Sequence, residues 1–351
     1  MGNSETADKP VLGWFCTYTP EEIILAAGFE SRRILGRTGP TAKADAHLHP
    51  NLCAFVRACL SSGLEGEHAK LAGIIGIDSC DAMRRLFDVW RATFHPDYSH
   101  ILAMPHVQTA EAVEFYRHEL ERLIRSLNQY FGLTISDADL LRGIHTMNET
   151  RTLLTRLYKL RRSSAPISGT EYYSILRDAM TEPKDRFNHW LKQSLEKSTS
   201  NETSVSSGVN IILAGGVLDD PWIVGVVEEA GGRVVADDLC CGGRYFEKLT
   251  STQGEPLKAI ADRYVLRAPC ARMSETETRV QNLMELIEET HARGLIYYTV
   301  KFCDPHILDW AMISKELQSR GVRALRCETD YSISERERMR TRIEAFLEML
   351  K

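Results

Sequence analysis

The chain has 351 residues, of which 43% are hydrophobic and 26% charged, with a net charge of −5. That length exceeds one small core and points to two or three domains, and the weak negative charge gives no pull toward nucleic acid or an anionic membrane. Met1–Pro10 has no basic stretch followed by an apolar core, and runs such as Leu71–Ile77 and Val209–Leu213 are too short to span a bilayer, so a cytoplasmic protein is expected.

The first segment reads as α/β. Pro20–Gly28 suits a short helix, with Thr19 as its cap, Glu21 and Glu22 in the first turn and Gly28 at the end. Asn51–Gly63 reads as a helix, Leu71–Asp78 as a buried strand, Asp81–Trp90 as a helix and Ile101–Met104 as a strand. From Thr109 to about Lys197 no strand signal appears. Val113, Tyr116, Leu120, Leu123, Leu127 and Tyr130 recur at helical spacing, and Ser136–Arg162 and Gly169–Met180 continue the pattern. Ser198–Gly208 is a polar, serine-rich linker. Alternation then resumes, with strands at Val209–Ala214, Arg233–Ala236, Leu295–Val300 and Val322–Leu325. Helices are expected at Pro221–Ala230, Glu275–Arg293, His306–Arg320 and Glu335–Leu350. Strands alternating with helices imply doubly wound, parallel, Rossmann-like sheets. The expected division is an N-terminal α/β domain at 1–107, a helical subdomain at 108–198 and a C-terminal α/β domain at 209–351.

There are nine cysteines. In a reducing compartment they are ligands or core residues rather than disulfides. Cys80 follows the Leu71–Asp78 strand, Cys303 follows Leu295–Val300, and Cys240 and Cys241 follow Arg233–Ala236. Ligands of open α/β sheets bind beyond the carboxyl ends of strands. Cys53 falls near a helix start, where the thiolate form is favoured. No CxxC run is present, so local spacing leaves ligand and core roles both open.

Several short stretches, in order along nearly the whole chain, resemble the 2-hydroxyacyl-CoA dehydratase and benzoyl-CoA reductase family. They are GWFCTYTPEEIILAAG (13–28), NLC (51–53), DSC (78–80), DDLCCGGRYF (237–246), KFCDP (301–305), ETDYS (328–332) and TRIEAFLEML (341–350). The resemblance implies a [4Fe–4S] cluster on Cys53, Cys80 and Cys303, whose fourth iron position is filled by water, substrate oxygen or another sulfur. It implies a heterodimer with a second, homologous subunit and an activator ATPase that injects one low-potential electron. The substrate would be an acyl-CoA. A 2-hydroxyacyl-CoA would lose water through a ketyl radical; in the benzoyl-CoA branch the electrons dearomatise a ring. A third reading is an electron-relay subunit serving its partner.

A further branch of this superfamily binds a double-cubane cluster with additional cysteines. Cys240 or Cys241, together with Cys270, match that region, but position 268 is Ala where the branch carries another cysteine, so a single cubane is expected. For a cluster to be shared by Cys53, Cys80 and Cys303, the two α/β domains must face each other across a cleft, with the helical segment between them in sequence. By the same resemblance Cys16, Tyr18 and Glu21 fall on the substrate side of the cleft. Arg244, in the glycine-rich loop, is a candidate contact for CoA phosphates. Asp304, ahead of Pro305, reads as a helix cap rather than a proton carrier, and the histidines show no metal-ligand spacing.

Overall fold

The structure is a computed structural model that describes residues 9–36, 38–163, 167–198, 208–332 and 334–351. Most of the serine-rich linker lies outside the described residues. Among those described, the strands form two four-stranded sheets, each wholly parallel.

The first sheet contains β1 (Val11–Trp14), β2 (Glu30–Arg33), β3 (Leu71–Asp78) and β4 (Ser99–Ala103), in the order β2-β1-β3-β4. Its helices are α1 (Glu21–Ala26), α2 (Ala42–Asp45), α3 (Ala54–Leu64) and α4 (Asp81–Phe94). Four helices follow: α5 (Ala110–Phe131), α6 (Asp137–Ser163), α7 (Gly169–Thr181) and α8 (Lys184–Ser198). The second sheet contains β5 (Val209–Gly215), β6 (Gly232–Asp238), β7 (Gly294–Val300) and β8 (Ala324–Thr329), in the order β6-β5-β7-β8. With it run α9 (Trp222–Glu229), α10 (Gly243–Phe246), α11 (Pro256–Val265), α12 (Thr276–Thr290), α13 (Asp304–Ser319) and α14 (Ser334–Leu350).

The two sheets thus share one strand order, although no sequence repeat links them. In each, the winding reverses beside the first strand, between β1 and β3 and between β5 and β7. That is where a crevice opens in a doubly wound sheet.

The alternation of strands and helices is as expected from the sequence, but β1, β2, α2, α10 and α11 are additional. β1 is only four residues long, and β2 reads ESRR, with Ser31 and Arg33 as its buried positions. A polar interior defeats the usual reading of alternation. Two expected caps also differ. Pro20, not Thr19, precedes α1, and the Thr19 hydroxyl is buried without a hydrogen bond. Cys303 occupies the cap position of α13, and Asp304 is its first helical residue.

α5–α8 do not stand apart from the sheets. α6 lies against α1, closely enough that a Cβ on Gly143 would fall 2.2 Å from the Glu22 carbonyl oxygen. α5 packs on α11, while α7 touches both β2 and α9.

The start of α1 is the most charged part of this core. Glu21 accepts from Ser31 Oγ at 2.7 Å and Tyr245 Oη at 2.6 Å and pairs with Lys184 at 2.8 Å. Glu22 pairs with Arg151 at 2.7 Å and accepts from Thr250 Oγ1 and Tyr264 Oη at 3.0 and 2.9 Å. Burial would raise the Glu22 carboxyl, but the Arg151 and Arg263 charges outweigh it and hold the group below its ordinary value. Residues from both halves of the chain meet here, so the network locks the middle helices to both sheets.

Candidate functional site

Cys53, Cys80 and Cys303 arrive at one cavity by the same local device. Each is the residue immediately before a helix, ahead of α3, α4 and α13, and none makes a side-chain capping bond. Cys80 and Cys303 follow β3 and β7, the strands beside the two crevices. A backbone hydrogen bond joins the halves at this point: Ala54 N donates to Lys301 O at 3.0 Å. The Cys53 and Cys303 thiols hydrogen-bond each other, and that bond, followed by burial, raises the Cys303 pKa well above the ordinary thiol value. Burial pushes the Cys80 thiol up to about 12, with the Met83 amide opposing. At Cys80, therefore, desolvation outweighs the helix terminus.

The cavity has a volume of about 120 Å³. Six of the nine cysteines line it: Cys16, Cys53, Cys80, Cys240, Cys270 and Cys303. The remaining three do not. Cys59 is fully buried with its sulfur 3.7 Å from Ile34 O, and Cys327 is fully buried on β8. Cys241 donates to Leu218 O at 2.9 Å and accepts from Leu218 N at 3.1 Å. The tandem cysteines after β6 thus divide, one facing the cavity and the other fixing a loop.

The other expected site residues part company. Tyr18 lines the cavity. Its hydroxyl accepts from Cys270 N at 3.2 Å, and the Arg267 guanidinium lies 4.1 Å above its ring. Burial pushes its pKa up to about 12, so the phenol keeps its proton. Glu21 is not among the lining residues, because its carboxylate is engaged by Ser31, Tyr245 and Lys184. Arg244 is not on an open loop. It is 2% exposed, donates to the carbonyls of Pro269, Gly215 and Asp238, and pairs with Asp238 at 3.2 Å. Its guanidinium holds the β5 and β6 loops, on the wall of a second cavity that Lys159, Lys248 and Arg267 also line.

Several further residues line the cavity. Cys16, just beyond β1, faces Ser79 Oγ at 3.5 Å. His306 is buried on the cavity wall and hydrogen-bonds Cys270; its Nδ1 meets Tyr297 Oη at 3.0 Å. The Tyr297 hydroxyl donates to Asp309 at 2.9 Å, so His306 Nδ1 carries the hydrogen that Tyr297 accepts. Phe302 lies at the cavity mouth with φ of 60°, left-handed for a non-glycine residue. The family resemblance puts Cys16, with Tyr18, on the substrate side of the cleft, whereas nothing local marks His306, which lies in the first turn of α13.

Among the described residues, no three His, Cys, Asp or Glu side chains converge tightly enough to hold a single metal ion. Six thiols nevertheless line this void, alongside oxygen and nitrogen donors such as Asp81, Asp304 and His306. Thiols spread around a void in this way suit an iron–sulfur cluster, whose thiolates bind separate irons, better than a single ion.

Residues 16–350 match the family model described as "2-hydroxyglutaryl-CoA dehydratase, D-component". The chain is 25% identical to the (R)-phenyllactyl-CoA dehydratase beta subunit of Clostridium sporogenes, over 100% of this chain and 94% of that protein. It is 25% identical to the beta subunit of the lactoyl-CoA dehydratase of Anaerotignum propionicum, over 97% of this chain and 92% of that one. Against one of the benzoyl-CoA reductase subunits of Thauera aromatica it is 24% identical, over 90% and 84%. The match spans nearly every described element, and the chain belongs to the 2-hydroxyglutaryl-CoA dehydratase D-component family.

Proposed function

We propose that this chain is one subunit of a 2-hydroxyacyl-CoA dehydratase-type enzyme, with Cys53, Cys80 and Cys303 holding a [4Fe–4S] cluster in the shared cavity. The observation that carries the reading is the meeting of three free thiols, from three helix starts and both sheets, on one cavity wall. When bound, the cluster supplies low-potential one-electron chemistry and a Lewis-acidic iron.

The protein's own residues do the rest. The N-terminal amides of α3, α4 and α13 favour negative charge on the three thiolates. The enclosing side chains limit access of water and oxygen. Tyr18 Oη keeps its proton and offers a hydrogen-bond donor on the wall. The substrate class is an acyl-CoA thioester, and the partners are a second homologous subunit and an ATP-dependent activator. Nine free cysteines and an oxygen-sensitive group suit a reducing cytoplasm.

One observation favours a second reading. Cys16, Cys240 and Cys270 share the cavity, so six cysteines are available, and Cys16 supplies a third thiol beyond the single-cubane set. Six thiolates would suit a double-cubane cluster and a reductase role.

The test is anaerobic purification with the partner subunit and activator, followed by iron and sulfide analysis and assay against 2-hydroxyacyl-CoA and benzoyl-CoA substrates. About four irons per chain with water elimination supports the first reading. About eight, lowered in part by replacing Cys16, Cys240 or Cys270, supports the second. Ring reduction would move the chain to the aryl-CoA branch, and absence of iron would end both readings.

A further inference from the structure

Arg33 ends β2 and is only 1% exposed, yet it lines the cysteine cavity. Its Nε donates to Phe15 O at 3.1 Å, one terminal nitrogen lies 3.1 Å from Met180 Sδ, and the other lies 3.9 Å from Cys240 Sγ. The guanidinium also sits over the Trp14 and Phe55 rings, at 5.5 and 5.9 Å. Arg151, Arg244 and Arg279 are comparably buried and each pairs with a carboxylate, whereas the equally buried Arg263 and Arg267 donate to carbonyls and to Thr17. Among the described residues Arg33 has no carboxylate pairing either. The Asp219 carboxylate, which feels its charge, is turned to Gly36 N and Tyr331 Oη. The other titratable groups that it faces include Cys240, Cys241, Cys16 and Cys59.

A carbonyl, a thioether and two ring faces disperse a buried positive charge without neutralising it, and the nearest anionic partner is Cys240, whose thiol the Cys241 hydrogen bond and the Arg33 and Arg244 charges hold well below its ordinary value. Such a charge opposes folding unless an anion completes it. Residues that work against the fold are retained where function requires them.

We propose that Arg33 is an anion-holding residue, and that with Cys16 and Cys240 it makes the inner end of the cavity a subsite for a negatively charged, sulfur-rich group. The identity of that group rests on the iron–sulfur reading above; the subsite itself does not. A cluster carried on thiolates is such a group, and Arg33 supplies positive charge beside Cys240, as Arg272 does on the Cys80 side. Arg33 is a positioning residue here: it sets the charge of the site and takes no part in bond making.

The test compares wild type, Arg33→Lys and Arg33→Met, isolated anaerobically as full chains. In the first measurement the iron-free proteins are melted in sodium iodide, a soft monovalent anion, and in sodium chloride at equal ionic strength. Iodide should raise the midpoint of wild type and Arg33→Lys by about 2 °C or more over chloride and leave Arg33→Met unmoved. In chloride, Arg33→Met should melt at or above wild type. In the second measurement the proteins are reconstituted with ferrous iron and sulfide and challenged with a chelator. Arg33→Met should hold iron roughly tenfold more weakly than wild type, with Arg33→Lys near wild type.

If iodide acts alike on all three proteins and Arg33→Met melts well below wild type, Arg33 is a packing residue and the proposal is overturned. If Arg33→Met holds iron as tightly as wild type, it is likewise overturned. If wild type takes up no iron but shows the Arg33-dependent iodide shift, the subsite stands and the iron–sulfur reading falls.

Discussion

Ala54 N donates a hydrogen bond to Lys301 O at 3.0 Å, joining the start of α3 to the loop after β7. The residues flanking this bond are Cys53 and, two positions past Lys301, Cys303. The backbone therefore brings two candidate ligands together from opposite halves of the chain.

This arrangement predicts how iron is lost. Cys53→Ala, Cys80→Ala and Cys303→Ala should each lose most of the iron found after anaerobic isolation. Cys59→Ser and Cys327→Ser should keep it, because neither sulfur reaches the cavity. Iron and acid-labile sulfide assays on the five variants decide the matter; full iron in all three alanine variants would sink the assignment.

Removing the metal should loosen the contact between the sheets without unfolding the chain. Metal-binding energy adds to folding energy. The halves are, however, also joined by Gly36 N to Asp219 at 2.9 Å and by Tyr245 Oη to Glu21 at 2.6 Å. Calorimetry on chelator-treated protein should show a lower midpoint but still a cooperative transition. Hydrogen exchange should speed up first around residues 51–56 and 300–306. Complete loss of the transition would mean that the metal, not the protein, holds the halves together.

Glu22 and Arg151 form a fully buried pair, so breaking it should be expensive. Arg151→Met leaves the Glu22 carboxylate without its guanidinium and should lower stability by about 3–5 kcal/mol. Adding Glu22→Gln removes the stranded charge and should recover part of the loss. Urea unfolding of the two proteins measures both effects; equal midpoints for Arg151→Met and wild type would refute the argument.

Two histidines should shape the acid side of the stability profile. Burial lowers the pKa of His68 and of His100 to about 4 from 6.5, with Arg32 and Arg122 adding to the effect. The folded chain thus resists protons that the unfolded chain accepts. Their contribution is present above about 6.5 and lost as pH falls to about 4. Asp219 and Asp237, raised by burial to about 6 from 3.8, act in the opposite sense: their contribution is present below 3.8 and lost as pH rises through about 6. The histidine term must therefore be read by difference. His68→Gln and His100→Gln should each lose less stability than wild type between pH 6.5 and 4, as measured by denaturant midpoints. Parallel profiles would show that neither ring resists protonation.

The sequence by itself determined the class of fold, because runs such as Leu71–Asp78 and Leu295–Val300 are largely apolar, as strands buried on both faces tend to be. It also marked Cys80 and Cys303 as strand-end residues, since their position depends on local order alone. Tertiary structure decided the rest. Strand β2 carries Ser31 and Arg33 inward, a polarity that becomes intelligible only once Glu21 and the cavity are opposite them. Arg244 looked like a loop residue until folding buried it among three carbonyls. Cys240 and Cys241 are indistinguishable by sequence position, yet the turn after β6 sends one to the cavity and the other to Leu218. Which side chains share a wall depends on how two sheets are brought face to face, and residues distant along the chain carry no local mark of that meeting.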